Sequence, residues 1–205
     1  MSKDTVWVSQ AMMDSTLIKP LDADVFLKDQ KTTIETLERN DRGEWMPPDR
    51  FPKKIYGKYR DGKVKKLPDI CMAGGFWTVS ANCAEVLRQF ELGRTTLHEV
   101  KIFQHDQTTP VEGEYFCINF GETKDAFVPE ESPRARVFDA FQWKLAGDAK
   151  DGDLALKSNA AEGVDLWIDP KVRHAFFLTN PLVQALKDAK LTRRFGLRKC
   201  RVLDT

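Results

Sequence analysis

Apolar residues in this chain come in short runs that follow one another without a helix strictly between them, and that pattern restricts the fold more than any other feature. Phe76-Trp77-Thr78-Val79 reads as a strand. In 97–103, Val100 and Ile102 alternate with charged Glu99 and Lys101. Tyr115 to Phe120 alternates again, with Tyr115, Cys117 and Asn119 on one face and Phe116, Ile118 and Phe120 on the other. The polar stretch 105–113 between the last two makes them an antiparallel pair. Further strands are expected at 5–9, 154–156, 165–169, 175–178 and 197–203. Strands in series with only occasional helices predict an α+β fold, a mostly antiparallel sheet with a few short helices.

Two helices carry their own signals. Ala84 to Phe90 reads as a helix, with Asn82 and Glu85 three residues later spaced like a capping box and Gly93 as a stop. Asn180-Pro181 opens a second helix as N-cap and first-turn proline, with Leu182, Val183, Leu186 and Ala189 on one face. The first 66 residues read differently. Pro47, Pro48 and Pro52, with glycines at 43, 57 and 62, predict an irregular, lysine-rich N-terminal layer. Ile34-Glu35-Thr36-Leu37 fits a helical turn or a strand equally well. Aromatic Trp45, Phe51, Tyr56 and Tyr59 argue that the layer is draped over a core and is not a disordered tail. A chain of 205 residues buries roughly 70% of its unfolded surface when compact, so one domain spanning 1–205 is expected, with 1–66 as its irregular part and 67–205 as its regular part.

Several classes of function lose support at this level. No apolar run approaches the ~18 residues of a membrane helix, and no apolar stretch follows Met1-Ser2-Lys3-Asp4 as a secretory signal would, so a cytoplasmic protein is expected. Cys71, Cys83, Cys117 and Cys200 are scattered and form no C-x-x-C pair, which suits buried free thiols in a reducing compartment. Histidines 98, 105 and 174 have no metal-ligand spacing, and on one alternating strand His98 and His105 would face opposite ways. Gly74-Gly75 precedes a strand and reads as a tight turn, not a phosphate cradle. Glu130-Glu131, flanked by prolines, reads as a solvated loop. No catalytic set, metal or cofactor is expected. A thiol at Cys83, near a helix start that would lower its pKa, leaves a small enzyme as one alternative.

Charge is segregated although it nearly cancels, at a net +1. Residues 53–66 hold seven Lys and Arg against Asp61, and 187–201 hold seven against Asp188. Residues 91–131 hold nine acids against Arg94, Lys101 and Lys124. Either these segments neutralise one another within the fold, or an acidic face steers a basic partner, or the basic stretches serve a nucleic-acid-binding or secretion-adaptor module. The balanced total makes nucleic acid the weaker partner.

Leu67-Pro68-Asp69-Ile70, Glu85-Val86-Leu87, Leu97-His98-Glu99-Val100, Tyr115 to Phe120, Asp165-Leu166-Trp167 and Leu182 to Leu186 carry a resemblance. Over about 65–205 the chain resembles a family of immunity proteins from bacterial polymorphic toxin systems (immunity family eleven, the myxobacterial type). The resemblance implies a cytoplasmic antidote that binds a cognate toxin domain one-to-one, blocks its active site or substrate entry, and brings no catalytic residues. The toxin of such systems travels by contact-dependent or type VI secretion. The acidic 91–131 region is then the expected contact face: Asp106, Glu112, Glu114, Glu122 and Asp125, with Phe127, Phe138 or Trp143 as aromatic anchor.

Overall fold

The computed structural model describes residues 5–204. In chain order it contains β1 (Val6–Ser9), β2 (Ile18–Lys19), β3 (Leu21–Ala23), α1 (Asp24–Lys28), α2 (Gln30–Asp41), β4 (Lys54–Gly57), β5 (Ile70–Ala73), β6 (Phe76–Ser80), α3 (Ala81–Leu87), β7 (Thr96–Phe103) and β8 (Tyr115–Asn119). It continues with β9 (Ala135–Val137), β10 (Trp143–Leu145), β11 (Ala155–Leu156), β12 (Leu166–Trp167), β13 (Phe176–Thr179), α4 (Asn180–Asp188), β14 (Leu197–Lys199) and β15 (Arg201–Val202). The fold is α+β.

The larger sheet has the order β2-β5-β6-β8-β7-β4-β3. Its β5–β6, β6–β8, β7–β8 and β3–β4 pairs are antiparallel, while β2–β5 and β4–β7 are parallel. Only Pro20 separates β2 from β3, yet they lie at the two edges, so the sheet must curl on itself. Gly74, at φ +58°, makes the closure possible: a Cβ there would stand 2.8 Å from the Ala23 nitrogen. Gly74 and Gly75 both have positive φ in the β5–β6 turn, the tight turn expected from sequence. Ala23, Ile55, Cys71, Phe76, Val100, Ile102, Tyr115 and Cys117 fill the inside of the curl.

The outer face of β6 and β8 supports a second core. Ile70, Trp77, Val79 and Ile118 pack there with α3 and α4 against Phe176 and Leu178 of a second sheet, ordered β12-β13-β1-β14 and antiparallel throughout. The far face of that sheet holds a third core, where Val6, Val8, Trp167 and Phe177 meet Phe127, Leu145, Leu156 and Cys200. Trp167 stacks on Phe177 with ring centroids 5.7 Å apart. Strands buried on both faces explain the largely apolar run at 76–79, where Thr78 is also buried, and the continuous one at 175–178. Each fully buried Leu or Phe contributes ~1.5–3 kcal/mol to these layers.

Several expectations are revised at their ends. Ser80 caps α3, accepting from the Cys83 N–H at 3.4 Å, so the helix starts and ends about three residues early and Asn82–Glu85 is not its cap. Gly93 lies beyond the helix, where its missing side chain makes room for Glu122. Thr179, not Asn180, precedes α4, and Ala189 is exposed beyond its end. The expected closing strand splits at Cys200, β14 pairing with β1 and β15 with β11.

The N-terminal third is more regular than its prolines suggest. β3 and β4 are sheet members, and α2 is the longest helix among the described residues. Its buried stripe is Thr33, Thr36 and Asn40, which is polar and therefore carries no apolar helical period. The hydroxyls satisfy themselves by donating one turn back, to Asp29 O and Thr32 O. Asn40 instead reaches β8: its Nδ2 donates to Ile118 O at 2.9 Å, and Phe120 N–H donates to its Oδ1 at 2.8 Å. Asn119 returns the clasp by pairing with both backbone groups of Met46.

Candidate partner-binding surface

Residues 134–145 form a hairpin that the sequence pattern did not announce. Trp143 opposes Val137, Lys144 opposes Arg136 and Leu145 opposes Ala135. Its base is anchored. Leu145 is buried, Trp143 packs edge-on against Phe127 at 5.6 Å, and the Trp143 N–H and C=O bond to Lys171 and Arg173. Its loop is preset, because the Asp139 carboxylate accepts from the N–H groups of Phe141 and Gln142. Its tip is apolar and in water: Val137 is 71% exposed, Phe138 50% and Phe141 81%. The Arg173 guanidinium lies over the Phe138 ring at 4.1 Å.

A recess of about 260 Å³ opens beside this hairpin, between Glu38, Asp41 and Arg42 of the α2 end and Gln142, Arg173 and His174. His174 holds a left-handed backbone, φ 54°, a conformation that costs energy in a residue with a side chain. Partial burial, then Arg173 and Lys144, hold its imidazole below the usual pKa. Asp41 is exposed as a residue, yet the protein packed around its carboxyl raises its pKa to about 6 by desolvation, against the pull of Arg173 and Arg42.

The five carboxylates expected to share one face do not gather in one place. Asp106, Glu112 and Glu114 lie in the connection after β7, whereas Glu122 and Asp125 follow β8, at the other end of the β7–β8 pair. Seven residue steps of strand put these ends roughly 23 Å apart. Asp106 is engaged by its own turn, taking Thr108 N–H, Thr109 N–H and the Thr109 hydroxyl, which lower its pKa to about 2. Glu112 is exposed, its N–H on Lys65 O beside the basic 53–66 segment, and Glu114 is exposed. Glu122 accepts from Arg94 N–H at 2.7 Å and Nε at 3.3 Å. Asp125 is neutralised between Lys157 and Lys171, at 3.1 and 2.6 Å.

Of the three proposed anchors, Phe127 is buried and Trp143 covers it; Phe138 is the exposed one. Part of the basic 187–201 stretch is used internally: Lys187 lies over Trp7, Arg198 bonds Ala149 O and Arg201 pairs with Glu131. Cys83 faces the core, and burial pushes its thiol up to about 12, the reverse of the lowering expected at a helix start. All four cysteines are free and buried. His98 packs on Phe51, and His105 lies past the end of β7, so the two are not on one strand. Among the described residues no three His, Cys, Asp or Glu side chains converge as a metal site would need, and no helix is long and apolar enough to cross a membrane.

A rigid scaffold presenting an apolar, cation-flanked hairpin has the makings of a protein-recognition domain. The profile of the Immunity protein family (Imm11) matches residues 12–200, and the chain belongs to that family. No curated protein matches it. The match begins before α2, so the N-terminal helix and β3–β4 are part of the family's unit.

Proposed function

We propose that this protein is the antidote to a secreted antibacterial toxin. It binds the cognate toxin domain one-to-one in the cytoplasm and covers the toxin's active site or the path of its substrate. The toxin arrives by contact-dependent or type VI secretion from a neighbouring cell. The observation that carries this reading is the family match over 12–200. An exposed apolar hairpin on a well-packed scaffold supports it, because a stable complex buries ~800 Å² on each partner around such anchors. No cofactor enters: inhibition by occlusion needs shape and charge alone.

Co-expression with the toxin encoded beside its gene tests the proposal. Cells should survive toxin induction only when this protein is present, and the two chains should copurify in a 1:1 complex. Death of the co-expressing cells, with both proteins soluble and separate, refutes it.

A further inference from the structure

Three features of the 134–145 hairpin leave it open to a partner, and two of them, the apolar tip and the paired cations, say what that partner carries. The first is apolar exposure. Of the eight large apolar side chains that stand in water among the described residues, three fall within residues 137–141. The second is a like-charge pair. Arg136 and Lys144 are directly opposite one another in register, and like charges so placed repel. Both are exposed, and among the described residues neither makes an ion pair; Asp148, which pairs with Arg134, also feels the Arg136 charge and offsets part of the repulsion. The third is an open strand edge. Trp143 turns its N–H and C=O outward to residues 171 and 173, so opposite Val137 turns its own outward on the other side, where no described residue meets them.

Charge narrows the partner. The hairpin carries Arg134, Arg136 and Lys144 against Asp139 alone, and Arg173 lies at its tip. The His174 imidazole, held below its usual pKa first by partial burial, also feels Arg173 and Lys144. The anchored base and preset loop mean that little order must be gained on binding.

We infer that the 134–145 hairpin is the element that enters the toxin, its Val137–Phe138–Phe141 tip filling an apolar pocket and its Arg136–Lys144 pair meeting carboxylates on the pocket rim. This rests on the antidote reading above and adds the contact surface and the partner's chemistry. It also moves the contact from the acidic turn of Asp106, Glu112 and Glu114 to another part of the molecule.

The test uses the full chain and a catalytically inactivated cognate toxin domain, with affinity measured by calorimetry and folding by thermal melting. F138S/F141S should keep the native melting profile within a few degrees and weaken binding about 100-fold or more, as loss of two central aromatic anchors does. R136E/K144E should weaken binding at least ~10-fold, chiefly by slowing association, and flatten its salt dependence. D106K/E112K/E114K should bind like the native chain. Folded hairpin variants with native affinity overturn the inference, as does loss of binding in the acidic-turn variant alone. A native dimer that F138S/F141S turns into monomer without loss of toxin affinity also overturns it, because the tip then meets a second copy. If the native chain itself fails to bind the toxin domain, the antidote reading falls and takes this inference with it; native binding with indifferent hairpin variants sinks the inference alone.

Discussion

Replacing Asn40 with alanine tests whether the N-terminal third is built into the domain or only laid upon it. Asn40 is buried, and its amide bonds the Ile118 carbonyl at 2.9 Å and the Phe120 N–H at 2.8 Å. Both partners are buried residues at the end of β8. Alanine would leave one carbonyl and one N–H without partners in a place water does not reach. Each such group costs ~1–3 kcal/mol, so a loss of about 3 kcal/mol is expected. For a chain of this length each kcal/mol lowers Tm by ~2–4 °C, which gives a fall of about 6–12 °C. Circular dichroism melting of native and Asn40→Ala protein measures it directly. Asn40→Asp should also destabilise, because it keeps the acceptor for Phe120 but sets a carboxylate oxygen against the Ile118 carbonyl. A variant melting within about 1 °C of the native chain would refute the reasoning. So would a native melt in which the N-terminal third unfolds in a separate step.

Three further residues carry expected outcomes. Asp169 is buried and accepts from the N–H groups of Ala126, Phe127 and Lys171; Asp169→Ala should cost about 3 kcal/mol and loosen the 171–173 segment beneath the hairpin, seen as a lower Tm and faster amide exchange there. Burial raises the Asp169 pKa above 3.8, so its contribution is fullest in acid and declines as pH rises through the folded value; the Tm gap to Asp169→Ala should therefore widen as pH falls towards 3.8 and not narrow. Asp41, raised from 3.8 to about 6, follows the same sign: Asp41→Asn should gain Tm relative to the native chain above pH 6–7 and lose that gain below pH 4. Cys83→Ser should cost ~1–2 kcal/mol through a hydroxyl in the apolar core yet leave protection intact, and the native thiol should resist iodoacetamide until the chain unfolds; rapid alkylation of native protein counts against its burial.

How far each element could be read depended on whether its burial was apolar. The β6, β7 and β8 strands announced themselves because alternate or consecutive side chains enter a core. Helix α2 did not, because the face it buries is threonine and asparagine, whose polar groups are satisfied one turn away or on β8. Strands β2 and β3 are two and three residues long, too short for any period to show. The β9–β10 hairpin carried no strand signal, because its Val137, Phe138 and Phe141 side chains stand in water and follow no buried period. Of the expected contact residues, Glu122 and Asp125 were legible as acids but not as acids already paired with Arg94, Lys157 and Lys171.

By itself the amino-acid order determined the α+β class, the antiparallel β7–β8 pair, the Gly74-Gly75 turn and the lack of any ligand-spaced metal motif. Those depend on neighbours within a few residues, where side-chain periodicity and φ preference act directly. The curl that brings β2 and β3 to opposite edges, the clasp of Asn40 on β8, and the separation of the acidic residues into two groups were decided only by the tertiary structure. Each depends on which distant segments share a face, and burial and charge pairing between such segments have no local signature.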